Sequence, residues 1–189
     1  MENLIAYLSQ YSELSVPLSQ RISSYVEKAP YKKGMHLLEI GDTAKYLYFL
    51  ESGFARGVRR VNGKLISTWF WKEGDLVTSI YSFLKQEPTD EGIELLEDCR
   101  AYRLSYSDLQ LLYEEFIEFN IIGRKTLEAY FLKAGEITYA LRNLTAIEKY
   151  EYLLALHPDI FQRTTLNNIA SYLGISKETM SRIRKPYRN

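Results

Sequence analysis

The amino-acid sequence predicts an α+β protein, in which an antiparallel β-roll with flanking helices is followed by a long helix and a small C-terminal helical domain. Short apolar runs separated by glycines predict the strands of the roll between residues 31 and 104. Apolar residues three or four apart predict the long helix between residues 116 and 143. Residues 166–185 predict two short helices joined by a three-residue turn. We therefore expect domains at residues 1–115, 116–144 and 145–189.

Composition limits the class of protein. The chain has 189 residues, of which 46% are hydrophobic and 14% aromatic, and this content excludes general disorder. No run of about 18 apolar residues occurs, and the N-terminal segment MENLIAYLSQ lacks a basic region followed by an apolar core. We therefore expect a soluble, cytoplasmic protein with no membrane partner.

Charge is distributed unevenly along the chain. The 24 basic and 24 acidic residues balance overall, but residues 161–189 carry a net charge of +5 and residues 1–160 a net charge of −5. The cations of the C-terminal segment are Arg163, Lys177, Arg182, Arg184, Lys185 and Arg188, and its acid is Glu178. A basic segment of this kind indicates a polyanionic partner.

Two amphipathic helices are expected before the roll, at residues 3–11 and 17–28. Pro17 lies near the start of the second helix and Pro30 shortly beyond its end, which are positions where proline is compatible with a helix boundary. We expect the two helices to form a lid on the roll.

Several local signals place the strands. Gly41 and Gly53 end two apolar runs, and Asn62-Gly63 between two further runs is a strong hairpin signal. The aromatic run from Trp69 to Trp71 predicts a strand packed on both faces rather than a platform for stacking bases. After the strands, a short helix is expected to start at Ser107.

The predicted long helix carries an apolar stripe over several turns. Such a helix can cover its own domain with one side and pair with a second copy of itself with the other. We therefore expect a homodimer whose interface includes Leu127, Phe131, Ala134 and Thr138. The alternative, that the helix only packs against its own roll, stays open at this point.

Small and capping residues define the C-terminal motif. Ala170 lies where the two helices approach each other, and Gly174 follows the last apolar residue of the first helix, where the chain must turn sharply. Ser176 is placed to cap the second helix. Upstream, Thr145 and Glu148 have the spacing of a capping box and predict the start of another helix.

The second helix of the motif has a polar face opposite Met180 and Ile183. The residues of that face are Lys177, Glu178, Ser181, Arg182 and Lys185. Such side chains suit phosphates and base edges in a major groove. A helical hairpin that merely completes a domain core would explain the apolar positions and the glycine but not the charge. The motif therefore predicts a helix-turn-helix that binds double-stranded DNA.

Four segments resemble the Crp/Fnr superfamily of transcription regulators. They are KKGMHLLEIGD at 32–42, YLYFLESGFAR at 46–56, FWKEGD at 70–75 and LNNIASYLGISKETMSRIRK at 166–185. The last is the most specific, because ISKETMSRIRK is similar to the family's recognition-helix pattern in charge and spacing. The resemblance covers nearly the whole chain. It implies a cyclic-nucleotide-binding-like double-stranded β-helix, a homodimer paired through long helices, and partners that include double-stranded DNA and RNA polymerase.

The resemblance also suggests roles for single residues. Lys177, Glu178 and Arg182 match the family's base-reading positions, and Ser181 lies on the same flank. Three hydroxyl residues are placed to hold phosphates near helix N-termini, namely Thr165, Ser176 and Thr179. Sequence-independent attraction to the backbone is expected from Arg184, Lys185 and Arg188.

Two features depart from the family pattern. Gly74 and Asp75 match the start of the cassette that holds the phosphate in cyclic-nucleotide-binding members, and we expect them at an effector pocket. The continuation to residue 98 is acidic and contains no arginine, so we expect no cyclic nucleotide; the nearest cations are Lys85 and Arg100. Only four residues follow Lys185, so we expect a minimal wing or none.

Other chemistries lack a signal. No nucleophile elbow, P-loop, dinucleotide fingerprint or paired catalytic carboxylates occur, so we do not expect an enzyme. The acidic residues between 87 and 98 are expected in a solvated loop. Cys99, the only cysteine, is expected to be buried in a strand and cannot by itself hold an iron-sulfur cluster. His36 and His157 lie far apart in sequence, and we expect neither a metal nor another cofactor.

Two functions stay open on the sequence alone. The first is a sequence-specific DNA-binding regulator whose roll is a sensor or a relic of one. The second is a ligand-sensing module that acts through a protein partner, with the basic C-terminus as a solvated face. The salt dependence of DNA binding distinguishes them.

Overall fold

A computed structural model describes residues 1–185, in which short helices, a strand-rich region, a long helix and further helices follow one another in the predicted order. The strands are β1 (Glu27–Tyr31), β2 (His36–Leu38), β3 (Tyr46–Ser52), β4 (Ala55–Val61), β5 (Lys64–Trp71), β6 (Leu76–Val77), β7 (Glu91–Leu95) and β8 (Cys99–Ser105). The helices are α1 (Glu2–Ser9), α2 (Val16–Tyr25), α3 (Ile80–Lys85), α4 (Tyr106–Glu115), α5 (Ile117–Asn143), α6 (Ala146–Leu156), α7 (Ile160–Arg163), α8 (Leu166–Leu173) and α9 (Lys177–Arg184).

Two four-stranded antiparallel sheets form the β-roll, with strand orders β1-β8-β3-β6 and β2-β7-β4-β5. Successive side chains of a strand point to opposite faces, so alternate residues can enter a common core. The first core contains Leu50 and Ala101 from one sheet and Ile93 and Leu95 from the other, and the N-terminal helices and the start of α5 complete it. The predicted α+β roll with flanking helices and a long helix is confirmed.

The hairpin between β4 and β5 turns at the predicted residues. Asn62 has a φ of 49° and Gly63 a φ of 77°. Two consecutive positive φ angles define a type I′ turn, whose twist matches that of the flanking strands. In β5, Phe70 and Trp71 are buried in different cores, which confirms that this strand is packed on both faces.

The second helix ends earlier than the sequence pattern predicts. Helix α2 ends at Tyr25, and residues 27–31 form β1, which pairs with β8. Because β1 is an edge strand and is hydrogen-bonded on one side only, it tolerates Pro30, which has no N–H to donate. The helical prediction for residues 26–28 is wrong, since pairing with β8 outweighs the local helical pattern.

The prediction of a solvated loop at residues 87–98 is wrong for residues 91–95. Strand β7 lies within this segment, between β2 and β4. Ile93 and Leu95 enter the core, while Glu94 points to the other face and accepts a hydrogen bond from Nε of Arg56 at 2.8 Å. Acidic residues therefore occur here because the strand needs an apolar residue only at alternate positions.

Capping residues set two helix starts. Helix α4 begins at Tyr106, slightly before the predicted start at Ser107, because the side chain of Ser105 is its N-cap and accepts from the first turn. The predicted capping box of α6 is confirmed. The side chain of Thr145 accepts from the amide of Glu148, and the carboxylate of Glu148 accepts from the amide of Thr145 at 2.8 Å.

A second core joins the roll to the C-terminal helices. Its buried residues are Phe54, Phe70, Ile137, Tyr150, Leu153, Ile160, Ile169, Ala170, Tyr172, Leu173 and Met180. We call it the shared core, because Phe54 and Phe70 belong to the strand-rich half. Helix α5 contributes Phe119 and Ile122 to the first core and Ile137 to the shared core, so it contacts both.

The C-terminal helices form the predicted two-helix motif. Three residues separate α8 from α9, and Gly174 among them has a φ of 66°, a left-handed conformation that favours glycine. Ala170 is buried against the neighbouring helices. The predictions about a wing and about Arg188 concern residues 186–189, which lie outside the described residues.

Candidate nucleic-acid interface

One face of α9 is buried and the opposite face is exposed. Met180 is fully buried and Ile183 is half-buried against the shared core. The exposed residues of α9 and its C-terminal cap are Lys177, Glu178, Ser181, Arg182 and Lys185. Residues three or four apart share a face of a helix, so these side chains form one polar flank.

Hydroxyl side chains cap both helices of the motif. Oγ of Ser176 accepts from the backbone amide of Thr179 at 3.1 Å, and Oγ1 of Thr165 accepts from the backbone amide of Asn168 at 3.3 Å. Each cap satisfies one of the N–H groups that a helix leaves unpaired at its start. Thr165, Ser176 and Thr179 thus lie at two helix N-termini, where the partial positive charge favours a phosphate.

The side chain of Arg182 lies along the exposed flank. Its Nη2 donates to Oγ1 of Thr179 at 3.2 Å. This contact uses one of the five N–H donors of a guanidinium, so others can be offered to a base edge. Hydrogen bonds to its own backbone amide and to Ser176 hold the pKa of Glu178 below its usual range, so Glu178 is a hydrogen-bond acceptor at neutral pH.

Arg184 behaves differently from its neighbours. Its guanidinium carbon lies 4.2 Å from the centre of the Phe161 ring, and the side chain is half-buried. A cation held over an aromatic ring is attracted to the negative face of that ring. Sequence spacing groups Arg184 with Lys177 and Ser181, but this packing turns it towards its own domain.

Helix α8 is docked on the edge of the roll. Nη1 of Arg56 in β4 donates to Oδ1 of Asn168 at 2.6 Å, and the backbone amide of Ser67 in β5 donates to Oγ of Ser171 at 3.1 Å. Strand β5 is an edge strand, whose outer amides would otherwise lack a partner in the sheet. The roll therefore fixes the position of α8, and α8 packs against α9 through the shared core.

Arg163 forms a second connection between the roll and the C-terminal helices. It donates to Glu97 from Nε at 3.0 Å and from Nη2 at 2.9 Å, and to Glu73 from Nη2 at 2.9 Å. It also lies over the Phe54 ring, 4.7 Å from its centre. Burial raises the pKa of Glu73, but the hydrogen bond from Arg163, a backbone hydrogen bond and the charges of Arg163 and Lys72 together lower it overall.

Aromatic rings fill the space between these connections. Phe54 and Phe70 stack with their centres 5.6 Å apart and their planes 12° apart, and Tyr172 of α8 packs 5.1 Å from Phe70. His157 stands edge-on to Phe54 at 5.7 Å, and its buried Nδ1 has no hydrogen-bond partner among the described residues. Burial, reinforced by the charge of Lys72, lowers the pKa of His157 to about 4.

The predicted dimer residues lie on α5 with unequal exposure. Phe131 is 77% exposed and Leu127 42%, Thr138 is exposed, and Ala134 is half-buried. Four further large apolar residues of α5 are exposed. Ile117 at 85% and Ile121 at 40% lie before the predicted stripe. Leu132 at 66% and Tyr139 at 64% lie within its span but do not follow its three-four spacing, so only the packing of the other faces of α5 identifies them.

Gly74 and Asp75 lie at the turn between β5 and β6, close to α5. Gly74 has a φ of 87°, and Oδ2 of Asp75 accepts from the amide of Lys72 at 2.9 Å, closing the turn. Oδ1 of Asp75 faces Nζ of Lys133 on α5 at 3.5 Å. Asp75 therefore places a negative charge beside Lys133 at this turn.

The segment that follows Asp75 carries few cations. The only cation between residues 76 and 98 is Lys85, which is exposed at the end of α3. Neither Lys85 nor Arg100 lines the cavity next to Asp75. A phosphate is usually bound by a guanidinium fork or by several amides, and this segment supplies no guanidinium.

Comparisons with known proteins match this architecture. Residues 28–116 match the family model described as the cyclic nucleotide-binding domain. No curated protein sequence matches the chain. Among solved structures, FixK2 from Bradyrhizobium japonicum has a TM-score of 0.72 and 19% identity, covering 85% of this chain and 83% of its own.

Two further structures are similar over nearly the whole chain. A protein from Eubacterium rectale, assigned to the Crp/Fnr family of transcriptional regulators, has a TM-score of 0.71 and 14% identity, covering 97% of this chain and 88% of its own. The c-di-GMP-responsive global regulator CLP from Xanthomonas campestris has a TM-score of 0.66 and 16% identity, with 92% of each chain covered. At these identities the likeness is one of fold. Among the described residues, no helix has the length and apolar character needed to cross a membrane.

Proposed function

We propose that this protein is a transcription regulator that binds DNA as a homodimer and reads a palindromic operator with α9. The observation that carries the proposal is the exposed flank of α9, where Lys177, Ser181 and Arg182 lie opposite the buried Met180. The net charge of +5 over residues 161–189 supports a polyanionic partner. The similarity of fold to proteins described as regulators supports the same class of function.

The base-reading residues are Lys177, Glu178 and Arg182. A guanidinium can make a bidentate pair with O6 and N7 of guanine in the major groove. Arg182 is exposed, and its hydrogen bond to Thr179 already orients the side chain. Pairing with guanine therefore restricts few additional rotatable bonds of this side chain. Ionised Glu178 accepts from a cytosine amino group or orients Arg182.

The phosphate contacts surround this reading flank. Thr165 begins α8 and Ser176 begins α9, and the free amides of both helix starts attract phosphate oxygens. Lys185 adds a charge that does not depend on base sequence. Arg184 adds to the positive field, although its guanidinium stays on Phe161.

The dimer forms through the exposed side of α5. Leu127, Phe131 and Thr138 supply exposed surface there, and Gly135 has no heavy atom within 4 Å of a Cβ placed on it, so a second helix can approach closely. Replacing Phe131 with Glu should weaken association by several kcal/mol, roughly the cost of burying an unpaired charge. Sedimentation that finds Phe131→Glu as dimeric as the parent would exclude this face.

Selection of bound sequences from a random DNA pool tests the function itself. We expect a palindromic motif whose half-sites lie about 10 base pairs apart, one turn of the double helix. Affinity should also fall linearly with the logarithm of salt concentration. A pool that yields no enriched motif would contradict the proposal and favour a module that acts on a protein partner. For variants that remove a positive charge from α9, the control is Arg100→Ala. It removes an exposed arginine from β8 and so shows the effect of losing charge alone.

A further inference from the structure

A large cavity lies between the roll and the helices that cover it. Its volume is about 1060 Å³, which is the size of a pocket for a small organic molecule. Helices α1, α4 and α5 and strands β3, β5 and β8 contribute its walls. The walls are mainly aromatic and aliphatic, with Tyr7, Phe49, Trp69, Trp71 and Tyr130 among the largest side chains.

Every charged side chain on these walls has a partner of opposite charge. Lys133 faces Asp75 at 3.5 Å and also lies over the Trp69 ring, 5.8 Å from its centre. Arg124 pairs with Glu128 at 2.6 Å. Since these are the only two cations on the walls in the described part of the chain, an anion entering the cavity would have to compete with a carboxylate for either.

Two tyrosines of the walls carry neutral hydroxyl groups. Burial raises the pKa of Tyr113 and of Tyr130 above the usual value for a phenol, so both stay protonated at physiological pH. They can exchange hydrogen bonds with a carbonyl or hydroxyl group without a change in charge. The cavity thus provides apolar contact area, aromatic faces and a few neutral polar groups.

We propose that this cavity binds an uncharged, mainly apolar small molecule in place of the cyclic nucleotide that the matching family model suggests. Burial of apolar surface is favourable in proportion to the area removed from water, so apolar walls of this extent favour such a ligand. A cyclic nucleotide would bring a phosphate to a site whose cations are already paired. Leu127 and Phe131, which the proposed dimer would cover, also line the cavity, but binding to it does not require DNA.

An effect of the ligand on DNA binding would rest on the proposed function. Tyr130 and Lys133 of α5 line the cavity, and Ile137 lies one to two turns further along the same helix in the shared core. The shared core also holds α8 and α9. Suppose that α5 can take two positions relative to the roll. A ligand that binds one of them with higher affinity would shift α5 towards that position and would move α9 with it.

The uncharged fluorescent probe N-phenyl-1-naphthylamine tests the cavity without DNA. We expect its fluorescence to rise and saturate with the full-length chain, and cyclic AMP and cyclic GMP at 100-fold excess over the probe not to displace it. Leu84 lines the cavity and is 48% exposed, so Leu84→Arg places an unpaired cation at the wall without emptying the core. It should weaken probe binding at least tenfold.

Tyr81→Arg is the matched control, since Tyr81 lies on the same helix, is 59% exposed and does not line the cavity. Its probe affinity should stay within about twofold of the parent. Equal affinity of both variants, probe binding that does not saturate, or displacement by a cyclic nucleotide would each overturn the proposal. If Leu84→Arg fails to fold, as judged by circular dichroism, the displacement experiment on the parent chain still decides.

Discussion

Helices α8 and α9 have similar lengths and belong to one motif, but the rest of the molecule holds them in different ways. Helix α8 is attached to the roll by the contacts of Arg56 and Ser67 and by Tyr172, which packs against Phe70. Helix α9 has no comparable contact with the roll among the described residues. It is anchored by Met180 in the shared core and by Arg184 on Phe161.

The different attachment of α8 and α9 corresponds to two different roles in the motif. Helix α8 and the shared core fix the position of α9, whereas α9 supplies the groups that we propose to contact DNA. Substitutions in the first set should change stability or the relation between the two halves of the chain. Substitutions on the exposed flank of α9 should change DNA binding and leave stability nearly unaltered, because surface side chains contribute little to folding.

The largest effect is expected in the shared core. Phe70 is 2% exposed and contacts Phe54, His157 and Tyr172, so Phe70→Ala leaves a cavity that its neighbours cannot fill. We expect the free energy of unfolding to fall by about 3–5 kcal/mol in a denaturant titration. Tyr81→Ala, at an aromatic residue that is 59% exposed, should cost much less. Similar losses in both variants would show that the shared core does not hold α8.

The next effect depends on pH and on His157. Its pKa is about 4 in the folded chain and 6.5 in the unfolded chain, so between these values the unfolded state binds a proton that the folded state excludes. The free energy of unfolding should therefore be highest above pH 6.5 and decrease as the pH falls towards 4.

Replacement of His157 isolates this contribution from that of the carboxylates. The difference in stability between the parent and His157→Gln should shrink by up to about 3 kcal/mol between pH 7 and pH 4, when both are titrated with urea. Parallel losses in the two chains would show that His157 is not buried in its neutral form.

Arg163→Ala should have a smaller effect. It removes a guanidinium whose side chain is 11% exposed and leaves Glu73 and Glu97 without their common partner. Those carboxylates are partly in contact with water, so we expect a loss of about 1–3 kcal/mol of unfolding free energy. Arg21→Ala breaks an exposed pair with Glu115 and should cost under about 1 kcal/mol. Equal costs would mean that Arg163 does not connect the two halves.

Local patterns predicted the features that depend on neighbouring residues. The turn at Asn62-Gly63, the left-handed Gly174 and the capping box at Thr145 each follow from conformational preferences of a few residues, and the structure confirms them. The long helix follows from its 3.6-residue period, and α5 runs from Ile117 to Asn143. The order of roll, long helix and helical motif follows from these elements.

Features that depend on distant residues were not predictable. Strand β1 forms because β8 pairs with it, although residues 26–28 have a helical pattern. The docking of α8 joins Arg56 to Asn168, which lies 112 positions further along the chain, and no pattern in either segment marks the other. In the sequence Arg163 is only one of several basic residues, and its contacts with Glu73 and Glu97 appear only in the fold.

The central claim is that α9 reads base sequence rather than only attracting DNA. The measurement that tests it most directly is the affinity of Arg182→Ala and of Lys185→Ala for the selected palindrome and for scrambled DNA, over a range of salt concentrations. Arg182→Ala should lose about 1–3 kcal/mol on the selected site and relax the preference at one base pair. Lys185→Ala should weaken binding to all sequences alike and reduce the salt slope by about one. If Arg182→Ala instead weakens binding equally on the selected and the scrambled DNA, α9 is an electrostatic anchor and the claim is wrong.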